Sequence, residues 1–310
     1  MHLAENIRDF YFAHFAELSP EKQFHFCTRL AAWNNDPRAL AFIDSYKPQY
    51  VPTPSTKDAL REELEYLIAN PPVMPANAAK LREPYFAKYS WLRGLELALF
   101  RVRHWLTVYG VDARPALFEI ISRKQLLDYE KQLLEDAESL RFLSTYAINY
   151  IYLVERLVLE HHDADAIDVA MLIAAAEAYD TNDMLHLQLL VYYYTHCIIA
   201  DTNFYKTPVP GALLPTYLKM LQTLDTVIDG HFESLSLDTK LEFLVCCRLC
   251  DYTSPVTDRI FDECTRSISP NGTFIVDTHN TFADRESKKT IDASEHRNVL
   301  FVLASQPWQP

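Results

Sequence analysis

The chain has 310 residues, 49% hydrophobic and 23% charged, the proportions of a folded protein with a sizeable core rather than a disordered one. Only five glycines occur, which excludes Gly-rich phosphate loops, collagen-like repeats and β-architectures built on many tight turns. Lys and Arg total 29 against 42 Asp and Glu, a formal charge of −13, and no run of four basic residues exists to displace counterions from nucleic acid or to grip an anionic membrane.

Proline marks the first joints. Ser19-Pro20 and Asp36-Pro37 read as helix starts, because the missing N–H is harmless in a first turn. Lys47–Thr56 holds three prolines and reads as a linker, a helix is predicted near Asp58–Ala69, and Pro71, Pro72 and Pro75 mark a second break. The expected organisation is an N-terminal helical segment (1–50), a Pro-rich linker with a bridging helix (51–77) and a helical-repeat domain (78–310).

From there the apolar spacing is helical. Trp91, Leu95, Leu99, Val102 and Leu106 follow three-four spacing, the mark of an amphipathic helix. A second helix is predicted over Asp136–Glu160, then Ala166–Tyr179, Asp183–Asn203, Ala212–Ile228, Asp238–Asp251 and Pro255–Ser267. Asp136, Asp183 and Asp238 stand where a carboxylate would cap free backbone N–H groups. The starts recur about every 45–55 residues, the length of a helical hairpin repeat.

The predicted fold is all-α: hairpins forming an (α/α) toroid or partial toroid, with a short extended segment at Gly272–Asp277. Asn149–Leu159 and Leu185–Ala200 carry few charges and suit inner helices around a cavity. A linear stack and a plain globular bundle are the alternatives.

Ala166–Ala178, the most apolar stretch, is interrupted by Asp168 and too short for the ~20 residues a bilayer span needs. The start of the sequence lacks the basic-then-apolar pattern of a leader. With six cysteines expected to stay reduced, the reading is a soluble, cytoplasmic protein.

Several segments stand out for chemistry. In Tyr192–Tyr205, Tyr192, His196 and Asn203 would share a helix face, with Tyr193 close by and Cys197 and Asp201 on the neighbouring face. His196 would face the cavity as a ligand or base oriented by Asp201; the plain alternative is a buried, hydrogen-bonded histidine near a helix end. Asp292 and Glu295 have the spacing of a capping box, which would turn His296 inward from the first turn, with Arg297 beside it. An imidazole there resists protonation and suits a neutral base or metal ligand. His279, in the polar loop Thr278–Thr290, could approach it as part of a lid.

Cys247, Cys250 and Asp251 would lie on one helix face, so zinc, if bound, would draw on His196, Cys250, Asp251, His279 and His296; core packing is the simpler account of the cysteines. Glu160–Asp165 (EHHDAD) reads as histidines at one helix end followed by capping aspartates, and Asp225 with Asp229 as a solvated pair. No zinc-protease, Walker, dinucleotide-binding or nucleophile-elbow motif is present.

Thr195-His196, Ala200-Asp201-Thr202, Pro270–Phe274 with Asp277, and Glu295-His296-Arg297 resemble segments of α/α-toroid proteins. That broad group includes terpenoid cyclases, protein prenyltransferases and lanthipeptide cyclases, and these segments are also similar to bacterial helical families without an assigned role. The resemblance spans about Asp183–Ser305 and implies a cavity lined by inner-helix ends, which in some members holds zinc through Cys, His and Asp. The W-G and G-G elements of lanthipeptide cyclases and the D-x-D-D of protonating cyclases are absent.

The expectation is a binding or accessory protein, without a resident cofactor, that holds an apolar or peptide ligand against Tyr192, Tyr193, His196, Asp201, Asn203, His279, His296 and Arg297. A zinc-dependent enzyme acting on a peptide or isoprenoid-like substrate is the first alternative. A scaffold for a protein partner is the second.

Overall fold

The computed structural model describes residues 2–71, 76–163, 166–276 and 289–309, with 76–80 by backbone alone. Sixteen α-helices follow one another among the described residues: α1 (His2–Ala13), α2 (Pro20–Asn34), α3 (Pro37–Tyr50), α4 (Lys57–Ala69), α5 (Ala76–Lys88), α6 (Leu92–Tyr109), α7 (Arg114–Ile120) and α8 (Arg123–Leu134). Then come α9 (Ala137–Leu143), α10 (Thr145–Tyr152), α11 (Val169–Ala176), α12 (Met184–Asp201), α13 (Leu214–Gly230), α14 (Leu237–Leu249), α15 (Thr257–Arg266) and α16 (Ile291–Ser305). The all-α reading is correct.

Local chemistry explains most boundaries. Pro20 and Pro37 open α2 and α3 as expected. Asp136 caps α9 through Ser139 N, and Asp183 caps α12 through Leu185 N and His186 N at 2.7 and 3.1 Å. Two expected caps are displaced by a hydroxyl two residues earlier. Ser236 caps α14, leaving Asp238 in its first turn. Thr290 caps α16 through Ala293 N, so Asp292 and Glu295 form no capping box.

Other expectations are corrected by the backbone. The predicted 136–160 helix breaks at Ser144, where φ is 47°, and after α10 widens into a π-helical turn over Leu153–Val158. The supposed linker begins later, because α3 runs through Pro48 to Tyr50. The extended segment near the C-terminus exists as one antiparallel bridge between Ile268 and Ile275. Asn298 of α16 fastens it, accepting from Ile275 N at 2.8 Å and donating to Ile275 O at 2.9 Å. At the turn before it, Gly272 has φ 75° and donates to Ser269 O.

The chain forms two compact units, one from 1–44 with 181–310 and one from 45–180. This differs from the expected organisation: the N-terminal helices belong with the C-terminal half because α1 and α2 both pack on α16. In the first unit α14 is buried along most of its length, Arg248 being exposed, and even Lys240 is enclosed, its ammonium bonded to Glu263 and to Phe232 O. In the second unit α4 crosses α6 so closely at Gly94 that a Cβ there would stand 2.2 Å from Ile68 O.

Candidate functional site

Within the first unit, α2 packs on α16, α16 on α14 and α14 on α12. Apolar residues set this register, among them Phe26 and Leu30 of α2, Leu300 of α16 and Phe243 of α14, all fully buried. The polar residues beside those stripes are thereby brought together.

The first arm joins α2 and α16. The Glu295 side chain is 0% exposed, with Oε1 2.7 Å from His25 Nδ1 and Oε2 3.3 Å from Lys22 Nζ. His25, 25% exposed, lies against the ring of His296 with centroids 5.3 Å apart. Burial, then the charges of Arg29 and Lys22, pushes protonation of His25 well below the ordinary histidine range. For His296, burial acts first, followed by His25 and Arg29. The expected resistance of His296 to protonation is therefore present, but desolvation and cationic neighbours cause it, since the residue stands beyond the first turn of α16. Burial also pushes the Glu295 carboxyl up, against the opposing pull of Lys22, His296 and Arg29.

The second arm joins α12 and α14. Glu242 accepts from Thr195 Oγ1, and its Oε1 is 3.7 Å from His196 Nε2. Burial raises its carboxyl to about 7, while the Thr195 bond and the Arg29 charge act the other way. Tyr192 stands above this pair, accepting from Thr239 Oγ1 at 3.2 Å, and burial with Glu242 and Asp238 raises its phenol.

Arg29 links the arms, because its charge acts on His25, His296 and Glu295 in one and on Glu242 in the other. Its Nε is buried and has no hydrogen-bond partner among the described residues. The guanidinium lies over the Tyr205 ring at 5.8 Å. Tyr205 is put there by an unusual turn: Asn203, Phe204 and Tyr205 have φ of 49°, 54° and 75°, three successive non-glycine residues in the left-handed region. Each such residue costs about 1–2 kcal/mol, so the surroundings must hold the turn. Trp33 packs edge-on against Tyr205, and Trp308 Nε1 donates to Tyr205 O at 2.7 Å.

Of the residues expected from sequence, His196 and Tyr192 stand by Glu242 in the second arm and His296 lies against His25 in the first. Tyr193 is a core residue packed edge-on against Tyr194. Asp201 accepts from Tyr217 Oη at 2.8 Å, and Glu242 Oε1 lies 3.7 Å from His196 Nε2. Asn203 lies past the end of α12 in the left-handed turn and does not extend the face of Tyr192 and His196. Arg297 is buried and donates to Asp238 at 2.5 Å. His279 and Asp277 lie outside the described residues, as does most of the expected lid.

Cys247, Cys250 and Asp251 do not share a helix face: α14 ends at Leu249, and Asp251 follows exposed at φ 50°. All six cysteines are buried and none forms a disulfide, and burial raises the Cys250 thiol to about 12. Among the described residues no group of three or more His, Cys, Asp or Glu side chains is arranged to hold a metal ion. Asp225 is buried rather than solvated and accepts from Tyr252 and Ser254, whereas Asp229 pairs with Arg259 at the surface.

Sequence reasoning missed Lys22, His25, Arg29 and Glu242. A signal existed for three of them: positions 22, 25 and 29 lie three and four residues apart on one face of α2, beside its apolar stripe.

Comparison with known proteins found no matching family model, no similar curated protein and no similar solved structure. Among the described residues no helix is long and apolar enough to cross a membrane.

Proposed function

We propose that the first unit is a ligand-binding unit in which the polar cluster where α2 packs on α16 opens as a cleft and holds a peptide or small molecule through an anionic group, a carboxylate or a phosphate. One observation carries this. The buried Arg29 Nε, the Nε2 of His25 and both ring nitrogens of His296 have no hydrogen-bond partner among the described residues, although all belong to one half-buried cluster. Polar nitrogens left unpaired in such a place find their partner in a ligand or in water, and an anion satisfies several donors at once. Lys22 and Arg29 supply the charge, and Tyr192 and Tyr205 supply aromatic walls with a polar tip. The cleft thus favours the peptide form of the expected ligand over a wholly apolar one.

A second reading, an enzyme, is favoured by Glu242. A carboxyl held near neutrality beside an imidazole suits proton transfer at pH 7. The enclosed helices α12 and α14 support the further proposal that they are inner helices of a partial toroid. The six free thiols support a reducing compartment such as the cytoplasm.

Thermal melting of the full chain with inorganic phosphate or with N-acetylglycine tests the binding proposal. A ligand at about a hundredfold its Kd adds about 2.7 kcal/mol to stability. One of the two compounds is expected to raise the Tm of the wild type and not that of Arg29→Gln, the variant controlling for the general salting effect of phosphate. Equal responses of wild type and variant to both compounds would refute it.

A further inference from the structure

In the Glu295–His25 pair a fully buried carboxylate engages Nδ1 of a partly exposed imidazole. A carboxylate in that place fixes the tautomer and steadies the imidazolium that forms when the ring takes a proton. Burial raises the Glu295 carboxyl and Lys22, 3.3 Å from Oε2, opposes that rise; with Glu295 ionised, Nδ1 carries the proton and donates. The other nitrogen, Nε2, then presents a lone pair with no hydrogen-bond partner among the described residues. Burial, Arg29 and Lys22 favour the uncharged ring of His25, and the His296 ring lies against it at 5.3 Å.

We propose that His25 is a proton acceptor acting through Nε2, with Glu295 as its positioning residue, towards a substrate whose carboxylate or phosphate is seated by Arg29 and Lys22. The proposal rests on the anionic-ligand reading of this cleft for its substrate class. In the step, an acidic X–H bond of the substrate breaks and its electron pair stays on X. The proton goes to Nε2, and the imidazolium is neutralised by Glu295. The negative charge that develops on the substrate faces the two cations. No oxidant or further reactant is needed.

The groups that bear on His25 come from both packed elements: Lys22 and Arg29 from α2 itself, and Glu295 and His296 from α16. Arg297, also on α16, is bonded to Asp238.

The test uses the full chain and two measurements. Long-range imidazole nitrogen–proton spectra at pH 7 should show His25 with the proton on Nδ1 and Nε2 bare. Acylation by diethyl pyrocarbonate, followed residue by residue by mass spectrometry, should modify His25 in the wild type. It should slow by about tenfold in Glu295→Gln, in line with the loss of one charge-assisted hydrogen bond, and its pH profile should shift downward. A merely structural Glu295 would change melting without moving the tautomer or that profile.

A proton on Nε2 in the wild type would overturn the proposal even if the variant failed to fold. So would an unchanged acylation rate in a folded Glu295→Gln. Protection of His25 from acylation by inorganic phosphate would support both proposals. A bare Nε2 without such protection would uphold the base and refute only the anionic seat, while protection with a protonated Nε2 would do the reverse.

Discussion

Each unit contains a buried glutamate whose carboxylate lies 2.7 Å from a histidine Nδ1, and the two pairs are built to different ends. In the first unit Glu295 faces cations, Lys22 and Arg29, and its histidine is three-quarters covered. In the second, Glu155 sits on the π-helical turn and faces another carboxyl, Glu130; its partner His161 is 54% exposed. Glu130 is pushed well up by burial and then by Glu155, so it keeps its proton at neutral pH. In the first unit, then, a buried carboxylate among cations holds an imidazole that is three-quarters covered. The same pair beside a second carboxyl and open to water holds a turn in place: Arg156 donates to the carbonyls of His161 and Asp163, and Arg114 pairs with Glu160.

The sharpest way to break this comparison is Glu295→Ala. It strands Lys22, Arg29 and His25 without their buried counter-ion, and urea unfolding is expected to show a loss of about 3–5 kcal/mol. A loss under 1 kcal/mol would mean that the surroundings of Glu295 are wetter than its full burial indicates.

The pH response comes next. Glu96 of the second unit, raised by burial to about 8 from 4.5, and Glu130, raised likewise, bind more protons folded than unfolded. Their contribution is complete below pH 4.5 and is lost as pH rises through the raised values, for Glu96 through about 8, on the order of 5 kcal/mol for Glu96 alone. In the first unit Glu242 and Glu295 have the same sign. His25 and His296 oppose them, because their lowered protonation makes acid below pH 6.5 favour the unfolded chain. Hydrogen exchange should therefore show the second unit weakening steadily from pH 5 to pH 8, and the first nearly level between pH 4.5 and 6.5. Parallel profiles would erase the distinction.

Smaller effects sharpen it. Glu130→Gln replaces a carboxyl that already holds its proton and should shift urea stability at pH 7 by about 0.5 kcal/mol or less. Glu295→Gln removes a working charge and should lose about 1.5–3 kcal/mol. His161→Ala, which takes a half-exposed imidazole from the buried Glu155, should cost about 1 kcal/mol in the same assay.

Helix type and most helix starts were legible because they are written locally. Asp136 and Asp183 cap as their spacing suggests, and Leu95, Leu99 and Val102 bury the face that their period predicts. What failed was decided by competition or distance. Thr290 and Ser236 took caps that nearby aspartates could have made, which freed Glu295 to turn inward and Asp238 to bind Arg297. Ser144 and Asn203–Tyr205 adopt left-handed backbone that no glycine announces. His25 and Glu295 stand 270 positions apart, and no local period connects them. Tyr192, His196 and His296 were found because each sits on a helix with a readable face. The cationic face of α2 was overlooked because its residues look like ordinary solvated charges.

The three left-handed residues before Lys206 carry an evolutionary consequence. Selection for heat resistance alone would favour relaxing them, with glycine at position 203 or 204 as the simplest route, and would gain stability by slackening the frame that keeps Tyr205 over Arg29. Lineages that preserve bulky side chains at this bend are, on this view, trading robustness for a ring held still.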